Sequence, residues 1–95
     1  MVSIRRVYGD SMLPTIKSGQ LAIASGSLNL KVGHLVIFKH SGIDKIKRIT
    51  NIKNNQIYVR GDNLFMSTDS RDFGYIDKSQ VIGRVVWPIN KGKLI

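Results

Sequence analysis

Residues 34–52 have the sequence HLVIFKHSGIDKIKRITNI, in which two β-rich segments flank a short turn. The first segment, residues 34–40, is an apolar run between two histidines. The second, residues 45–52, alternates isoleucines with basic and polar side chains. Branched apolar residues and this alternation predict strands. The intervening Ser41-Gly42-Ile43-Asp44 predicts a turn because Gly and Asp favour reversals of the chain.

The same pattern of short strands and turns extends in both directions from this stretch. Further strands are predicted at residues 2–8, 20–24, 56–60 and 81–87. Asn54-Asn55 predicts a hairpin turn because Asn tolerates positive φ. Residues 61–75 predict a long polar loop, of a length more typical of functional segments than of connectors. Helical periodicity is hard to find, so we expect one all-β domain over residues 1–95, a barrel or sandwich-like architecture.

The composition is that of a soluble globular chain with a strong excess of positive charge. Hydrophobic residues make up 42%, and 15 Lys and Arg face six acidic residues for a net charge of +9. The absence of cysteine excludes disulfides and thiol chemistry. Such charge suits nucleic acid, anionic lipid or an acidic protein. The scatter of the lysines and the few aromatic residues favour an ordinary solvated basic surface over specific nucleic-acid binding.

The hydropathy of the chain bears on its location. No apolar run approaches the roughly 18 residues that span a bilayer, and the basic N-terminal segment lacks the apolar core of a secretory signal. We therefore expect a cytoplasmic protein, with peripheral contact to an anionic membrane as the alternative.

Residues 9–15, Gly-Asp-Ser-Met-Leu-Pro-Thr, place one hydroxyl in a bent segment. Gly9 permits a sharp turn, and Pro14 fixes its own φ and favours an extended residue before it. A serine at such a bend can present its Oγ at the mouth of a cleft, which makes Ser11 a candidate nucleophile. The same residue types are common in loops without function, so the pattern alone is weak.

A base for Ser11 must come from elsewhere in the chain. His34 and His40 flank one apolar strand, where surface positions are typical, and no spacing of three ligands predicts a metal site or another cofactor. A lysine acts as a base only when neutral, so burial must lower its pKa from about 10.4 to about 7 or 8. Lys45 and Lys47 lie inside a predicted strand. The alternative is that both point outward from an edge strand.

Three motifs occur in one order along the chain. They are Gly-x-Ser-Met-x-Pro-Thr at residues 9–15, Lys-Arg-Ile at residues 47–49, and Gly-Asp-Asn-x-x-x-Ser-x-Asp-Ser-Arg-x-x-Gly at residues 61–74. Together they strongly resemble the signal peptidase I family of Ser-Lys endopeptidases, over residues 8–87. The resemblance implies a small all-β catalytic core of the barrel type that this family shares with LexA-type repressors.

The resemblance also implies roles for individual residues. Ser11 would be the nucleophile and Lys47 the general base. Ser67 would hydrogen-bond the lysine, and Asp69 and Arg71 would form a structural pair that braces the site. Gly9 stands where some family members have a serine that stabilises the oxyanion, so the second oxyanion donor is left unassigned.

Further residues follow from the same resemblance. Gly61, Asp62 and Asn63 would shape the loop beneath Lys47. Met12 and Ile23 would line a shallow substrate pocket that accepts small side chains at the first and third positions before the cleaved bond.

The substrate class follows from what the chain lacks relative to the family. A signal peptidase usually has a membrane anchor and an extra β domain. The compact form here is similar to the nickel-type superoxide dismutase maturation proteases, which implies removal of a short N-terminal leader from a protein substrate. One alternative is a signal peptidase that works at a membrane surface. Another, from a different class, is a catalytically idle basic module that binds nucleic acid.

Overall fold

A computed structural model of the chain describes residues 1–26 and 29–88, and within them the strands form one antiparallel sheet. The strands are β1 (Val2–Arg6), β2 (Leu21–Ser25), β3 (Leu35–His40), β4 (Ile43–Lys53), β5 (Gln56–Arg60), β6 (Ile76–Asp77) and β7 (Val81–Trp87). Their order across the sheet is β1-β2-β7-β3-β4-β5-β6. The all-β prediction is confirmed. The predicted domain also includes residues 27–28 and 89–95, which lie outside the described residues.

The sheet is strongly curved. The Cα atoms extend over 32 × 31 × 31 Å, and a flat sheet could not have three nearly equal extents. Curvature of this degree brings β1 close to the start of β4, although β2, β7 and β3 lie between these two strands in the order.

The hairpin turns follow the residue types that the sequence offers. β3 and β4 are joined by two residues, Ser41 and Gly42, whose φ angles are 51° and 76°. Positive φ at both central positions gives a turn whose twist matches that of the strands. The β4–β5 turn has Asn54 at φ 57°, as the tolerance of Asn for this region predicts.

The long loop predicted at residues 61–75 contains a short helix, α1 (Ser70–Phe73). Asp69 caps its N-terminus by accepting from the Arg71 N–H, and the Asp72 carboxylate accepts in turn from the Asp69 N–H. This reciprocal capping box stabilises a helix too short to persist by propensity alone. Four residues are also too few to show helical periodicity in the sequence.

The core consists of two clusters on opposite faces of β3. One contains Val36 and Phe38 together with Leu30, Ile49, Ile57, Val59 and Ile76. The other contains Leu35 together with Val7, Met12, Ile16 and Ala22. Because β3 is buried on both faces, its sequence is a continuous apolar run rather than an alternation of apolar and polar residues. The second cluster anchors the segment that carries Ser11.

No helix in the described residues is long and apolar enough to cross a membrane.

We expect Phe38→Ala to lower the free energy of unfolding by about 3–5 kcal/mol, the range for removing a buried aromatic ring. Phe38 is fully buried, whereas Val32 is largely exposed. Val32→Ala is therefore the control and should change the stability little. Urea denaturation of both variants measures the difference, and equal effects would contradict the assignment of Phe38 to the core.

Candidate active site

Ser11 and Lys47 come together at one end of a cleft in the sheet. Ser11 follows β1, and Lys47 lies on β4. Lys47 Nζ donates a hydrogen bond of 2.7 Å to Ser11 Oγ. The two residues are 36 positions apart in the chain, so the contact is made by the fold and not by local structure.

Lys47 is buried although its part of β4 has a free edge. β5 pairs with β4 only from Arg48 onward, so residues 43–47 pair with β3 alone. Even so, the Lys47 residue is 6% exposed. The alternative that both lysines point outward from an edge strand is therefore wrong for Lys47. Lys45 is only partly buried, and its Nζ lies 5.2 Å from the centre of the Phe73 ring.

The surroundings of Lys47 favour its neutral form. Burial lowers the pKa of Lys47 most, and the positive charges of Lys45 and Arg71 lower it further, while the Asp69 carboxylate acts in the opposite direction. A neutral amine has a lone pair that can accept a proton. Ser11 Oγ lies 2.7 Å from Lys47 Nζ, so the hydroxyl proton of Ser11 is within reach of a neutral Lys47.

Asp69 organises the loop that covers the lysine. Its fully buried carboxylate accepts from the Gly61 N–H at 2.9 Å, from Ser67 Oγ at 2.7 Å, and from Arg71 Nε and Nη2 at 2.9 and 3.0 Å. Burial alone would raise the pKa of Asp69, but the hydrogen bonds from Arg71, Gly61 and Ser67 outweigh it and hold the pKa well below its usual range. Asp69 is thus an anion, and it forms the expected pair with Arg71.

The hydrogen-bond partner of Ser67 is Asp69 and not Lys47, as the resemblance implied. Its Oγ donates to Asp69, and the hydrogen bonds among the described residues include none between Ser67 and Lys47. An ionised carboxylate two residues away is a stronger acceptor than a neutral amine. Ser67 therefore acts on the loop of Lys47 rather than on Lys47 itself.

Asp62 and Asn63 hold the Ser11 segment in place. Asp62 accepts from Arg48 Nε and Nη2 at 2.8 and 2.7 Å, and also from Thr15 Oγ1. The Asn63 N–H donates to the Ser11 carbonyl at 2.8 Å, and its side-chain amide donates to the Asp10 carbonyl. These two residues tie the Ser11 segment to the residue next to Lys47, instead of only shaping a loop beneath the lysine.

Two contributors to this network were not assigned roles from the sequence. Arg48 follows Lys47 directly, and it also donates to the Gly33 carbonyl at 2.7 Å. Thr15 closes the first motif. Both residues belong to the matched motifs, and that membership is the only sequence signal that points to a role for them. Their shared partner Asp62 lies 14 positions from Arg48 and 47 positions from Thr15, so the contacts could not be inferred from spacing.

Gly61 is placed where no side chain fits. A Cβ on this residue would overlap Ser67 Oγ and would come within 2.6 Å of the Ser11 carbonyl oxygen. The close approach of these three residues requires glycine, and it sets the distance between the loop and the Ser11 segment.

The cleft beside Ser11 has a volume of about 410 Å³. It lies between residues 5–8 and residues 43–47, with Ser11 and Thr68 on its wall. Its apolar lining comes from Val7, Ala22, Ile37, Ile43 and Ile46. The prediction that Met12 and Ile23 line the substrate pocket does not hold for this cleft, since neither is among the described residues that line it.

Met12 and Ile23 are elsewhere for simple geometric reasons. Met12 is fully buried in the core cluster around Leu35. Successive residues of a strand point to opposite faces, so the position of Ala22 on the cleft side directs Ile23 to the other face of β2. There Ile23 pairs with Ile4 and Trp87.

The all-β fold and the contact between Ser11 and Lys47 at the cleft are consistent with a β-domain peptidase. Comparison with known proteins gives the family. The chain belongs to the Peptidase S24-like family, whose model matches residues 2–86. It is also similar to a mitochondrial ATP-independent inner membrane protease subunit 1a of Arabidopsis thaliana, with 26% identity over 121 residues that cover 93% of this chain and 72% of the relative. The expected likeness to nickel-type superoxide dismutase maturation proteases is not shown by these comparisons.

We expect Asp62→Asn to lower the free energy of unfolding by about 3 kcal/mol, because it leaves the Arg48 guanidinium buried without a counter-charge. The side chains of this pair are each 10% exposed. The control is Asp44→Asn, which breaks a more exposed pair with Arg5 and should change the stability by less than about 1 kcal/mol. Thermal and urea unfolding of the two variants provide the comparison. Similar losses in both would mean that burial does not distinguish the two ion pairs.

Proposed function

We propose that this chain is a serine endopeptidase in which Ser11 is the nucleophile and Lys47 the general base. The observation that carries the proposal is the 2.7 Å contact between Lys47 Nζ and Ser11 Oγ, formed by a lysine whose pKa is lowered by burial. Membership of a peptidase family supports the reaction type. A surface lysine at the same distance would be protonated and could not accept the serine proton.

The proposed reaction is acyl transfer in two steps. Neutral Lys47 accepts the Ser11 proton while Oγ attacks the carbonyl carbon of the peptide bond, and the resulting ammonium then protonates the leaving amine. Lys47, neutral again, accepts a proton from water as the water attacks the acyl-enzyme. The bond between the acyl carbon and Ser11 Oγ then breaks, and the Lys47 ammonium returns the proton to Oγ as the carboxylic acid product leaves. Backbone N–H groups near Ser11 would stabilise the oxyanion.

The substrate is an extended peptide. β1 pairs only with β2, and residues 43–47 of β4 pair only with β3 among the described strands. The cleft therefore lies between two free strand edges, whose backbone groups can bind a peptide as an added strand. The modest apolar lining around Ala22 and Val7 suits small side chains near the cleaved bond, as in the removal of a short leader from a protein.

We expect Ser11→Ala and Lys47→Ala each to abolish cleavage, because one removes the acyl acceptor and the other the base. Lys47→Arg should not restore activity, since a guanidinium stays protonated. Lys45→Ala is the matched control and should keep much of the activity. Turnover of a peptide library, followed by mass spectrometry, measures all four. Full activity in Lys47→Ala would refute the proposed base.

The pH dependence of kcat/KM tests the state of Lys47. Below its pKa the amine is protonated and inactive, so activity should rise with pH as the proton is lost. Lys45→Ala removes a charge that lowers the pKa of Lys47, so the rising limb should move to higher pH. A limb that stays in place, or moves to lower pH, would show that another group controls the rate.

A second candidate function is leader removal at a membrane surface, and one observation favours it. Leu64, Phe65 and Met66 are exposed, with Phe65 97% exposed. They follow Asn63, which binds the Ser11 carbonyl, so an apolar tip lies close to the nucleophile. Together with the net charge of +9, it suits an anionic lipid surface. The similar Arabidopsis protein is named as an inner membrane protease subunit. The idle nucleic-acid module has charge alone to support it.

We expect Phe65→Ser to weaken binding to vesicles that contain phosphatidylglycerol, without changing the cleavage of a soluble peptide. Val32→Ser replaces another exposed apolar residue and serves as the control. Co-sedimentation at low and high salt measures binding, which should fall as salt screens the charges. Equal binding by wild type and Phe65→Ser would count against the membrane candidate.

A further inference from the structure

An ion pair joins the two strand edges that border the cleft. Arg5 Nε on β1 lies 3.0 Å from Asp44 Oδ2 on β4, and both residues line the cleft. We propose that Arg5 makes the cleft select peptides with a carboxylate side chain about three residues from the cleaved bond. This inference rests on the proposed function, whose substrate class it narrows.

The position of the carboxylate follows from strand geometry. Asp44 precedes Lys47 by three residues on the same strand, a separation of about 10 Å at about 3.4 Å per residue. A peptide bound alongside β4 as an extended strand advances by the same distance per residue. When its cleaved bond is at Ser11, a side chain about three residues away lies beside Arg5.

The charges that line the cleft favour an acidic side chain. Asp44 is the one acidic residue among the described residues that line it, whereas Arg5, Arg6 and Lys45 are basic neighbours. Arg6 Nη1 is held by the Gly19 carbonyl at 2.6 Å, and Lys45 lies against Phe73. Arg5 uses Nε for Asp44 and Nη1 for the Ile4 carbonyl, and within residues 1–26 and 29–88 its Nη2 makes no hydrogen bond, so that these donors can bind a ligand.

Asp44 can release Arg5 without losing every counter-charge. Lys39 Nζ lies 3.8 Å from Asp44 Oδ1, on the side of the carboxylate away from the Arg5 contact. The Arg5 and Asp44 side chains are 41% and 31% exposed, and ion pairs of this exposure contribute little to stability. A substrate carboxylate can therefore replace Asp44 on Arg5 while Asp44 keeps Lys39.

The test compares peptides that differ at one position. Each carries Asp, Asn or Lys three residues before or three residues after a cleavable bond between small residues. We expect the better Asp peptide to exceed its Asn counterpart in kcat/KM by about tenfold, the size of a partly exposed charge-assisted hydrogen bond. The Lys peptide should be poorer than both.

Variants of the two partners should have opposite effects. Arg5→Gln should remove the preference for Asp over Asn, whereas Asp44→Asn should keep or strengthen it, because the competing carboxylate is gone. A purely structural role for the ion pair would make the two variants alike. Lys53→Gln removes one charge from an exposed site on β4 that does not line the cleft, and it should leave the preference unchanged.

Binding to the Ser11→Ala protein separates this inference from the proposed chemistry. Fluorescence anisotropy with labelled Asp and Asn peptides reports selection even where no bond is cleaved. If the wild-type protein cleaves neither peptide while the Ser11→Ala protein still selects the Asp peptide, the proposed reaction alone is refuted. Equal binding of the Asp and Asn peptides, or the same preference in Arg5→Gln as in wild type, would overturn the inference.

Discussion

The buried carboxylate of Asp69 is the interaction on which the site depends. It gathers the Gly61 N–H, Ser67 Oγ and the Arg71 guanidinium around one anion, and so fixes the loop that covers Lys47. The same negative charge opposes the lowering of the lysine pKa. Arg71 resolves this conflict because it neutralises Asp69 and itself lowers the pKa of Lys47. The Asp69–Arg71 pair thus holds the loop around a buried anion without adding a net negative charge near Lys47.

The two lysines of β4 share a strand but differ in burial and in the side chains that they contact. Lys45 and Lys47 are one strand repeat apart and point to the same face. The segment from Gly61 to Asn63 contacts Ser11 and Arg48, which are the hydrogen-bond partner of Lys47 and its neighbour in the chain. Lys45 Nζ instead lies over the ring of Phe73 at the end of α1, and Lys45 keeps partial exposure. One strand therefore carries a lysine with a lowered pKa, and the positive charge of the other lysine contributes to that lowering.

Local patterns in the sequence predicted the strands but not the contacts between distant segments. Alternation and turn residues located six of the described strands, and β5 and β7 match the predicted bounds. β6 has two residues and α1 has four, too few for any periodicity. The motif resemblance brought Ser11 and Lys47 together correctly in space. It placed Ser67 on Lys47 rather than on Asp69, and Met12 in the pocket rather than in the core, because the partner of a side chain depends on packing between motifs.

The cleft exists because strand pairing is left incomplete at one place in the sheet. Unpaired edges are a hazard, since they can pair with other chains. Here the edge of β1 and the first five residues of β4 stay unpaired, yet Arg5 and Asp44 span the gap between them with charges that disfavour indiscriminate β-pairing. A peptide that satisfies the backbone groups of both edges must also meet this ion pair. Under the proposed function, the same contact would disfavour β-pairing with other chains in the free protein and would also discriminate between peptides that enter the cleft.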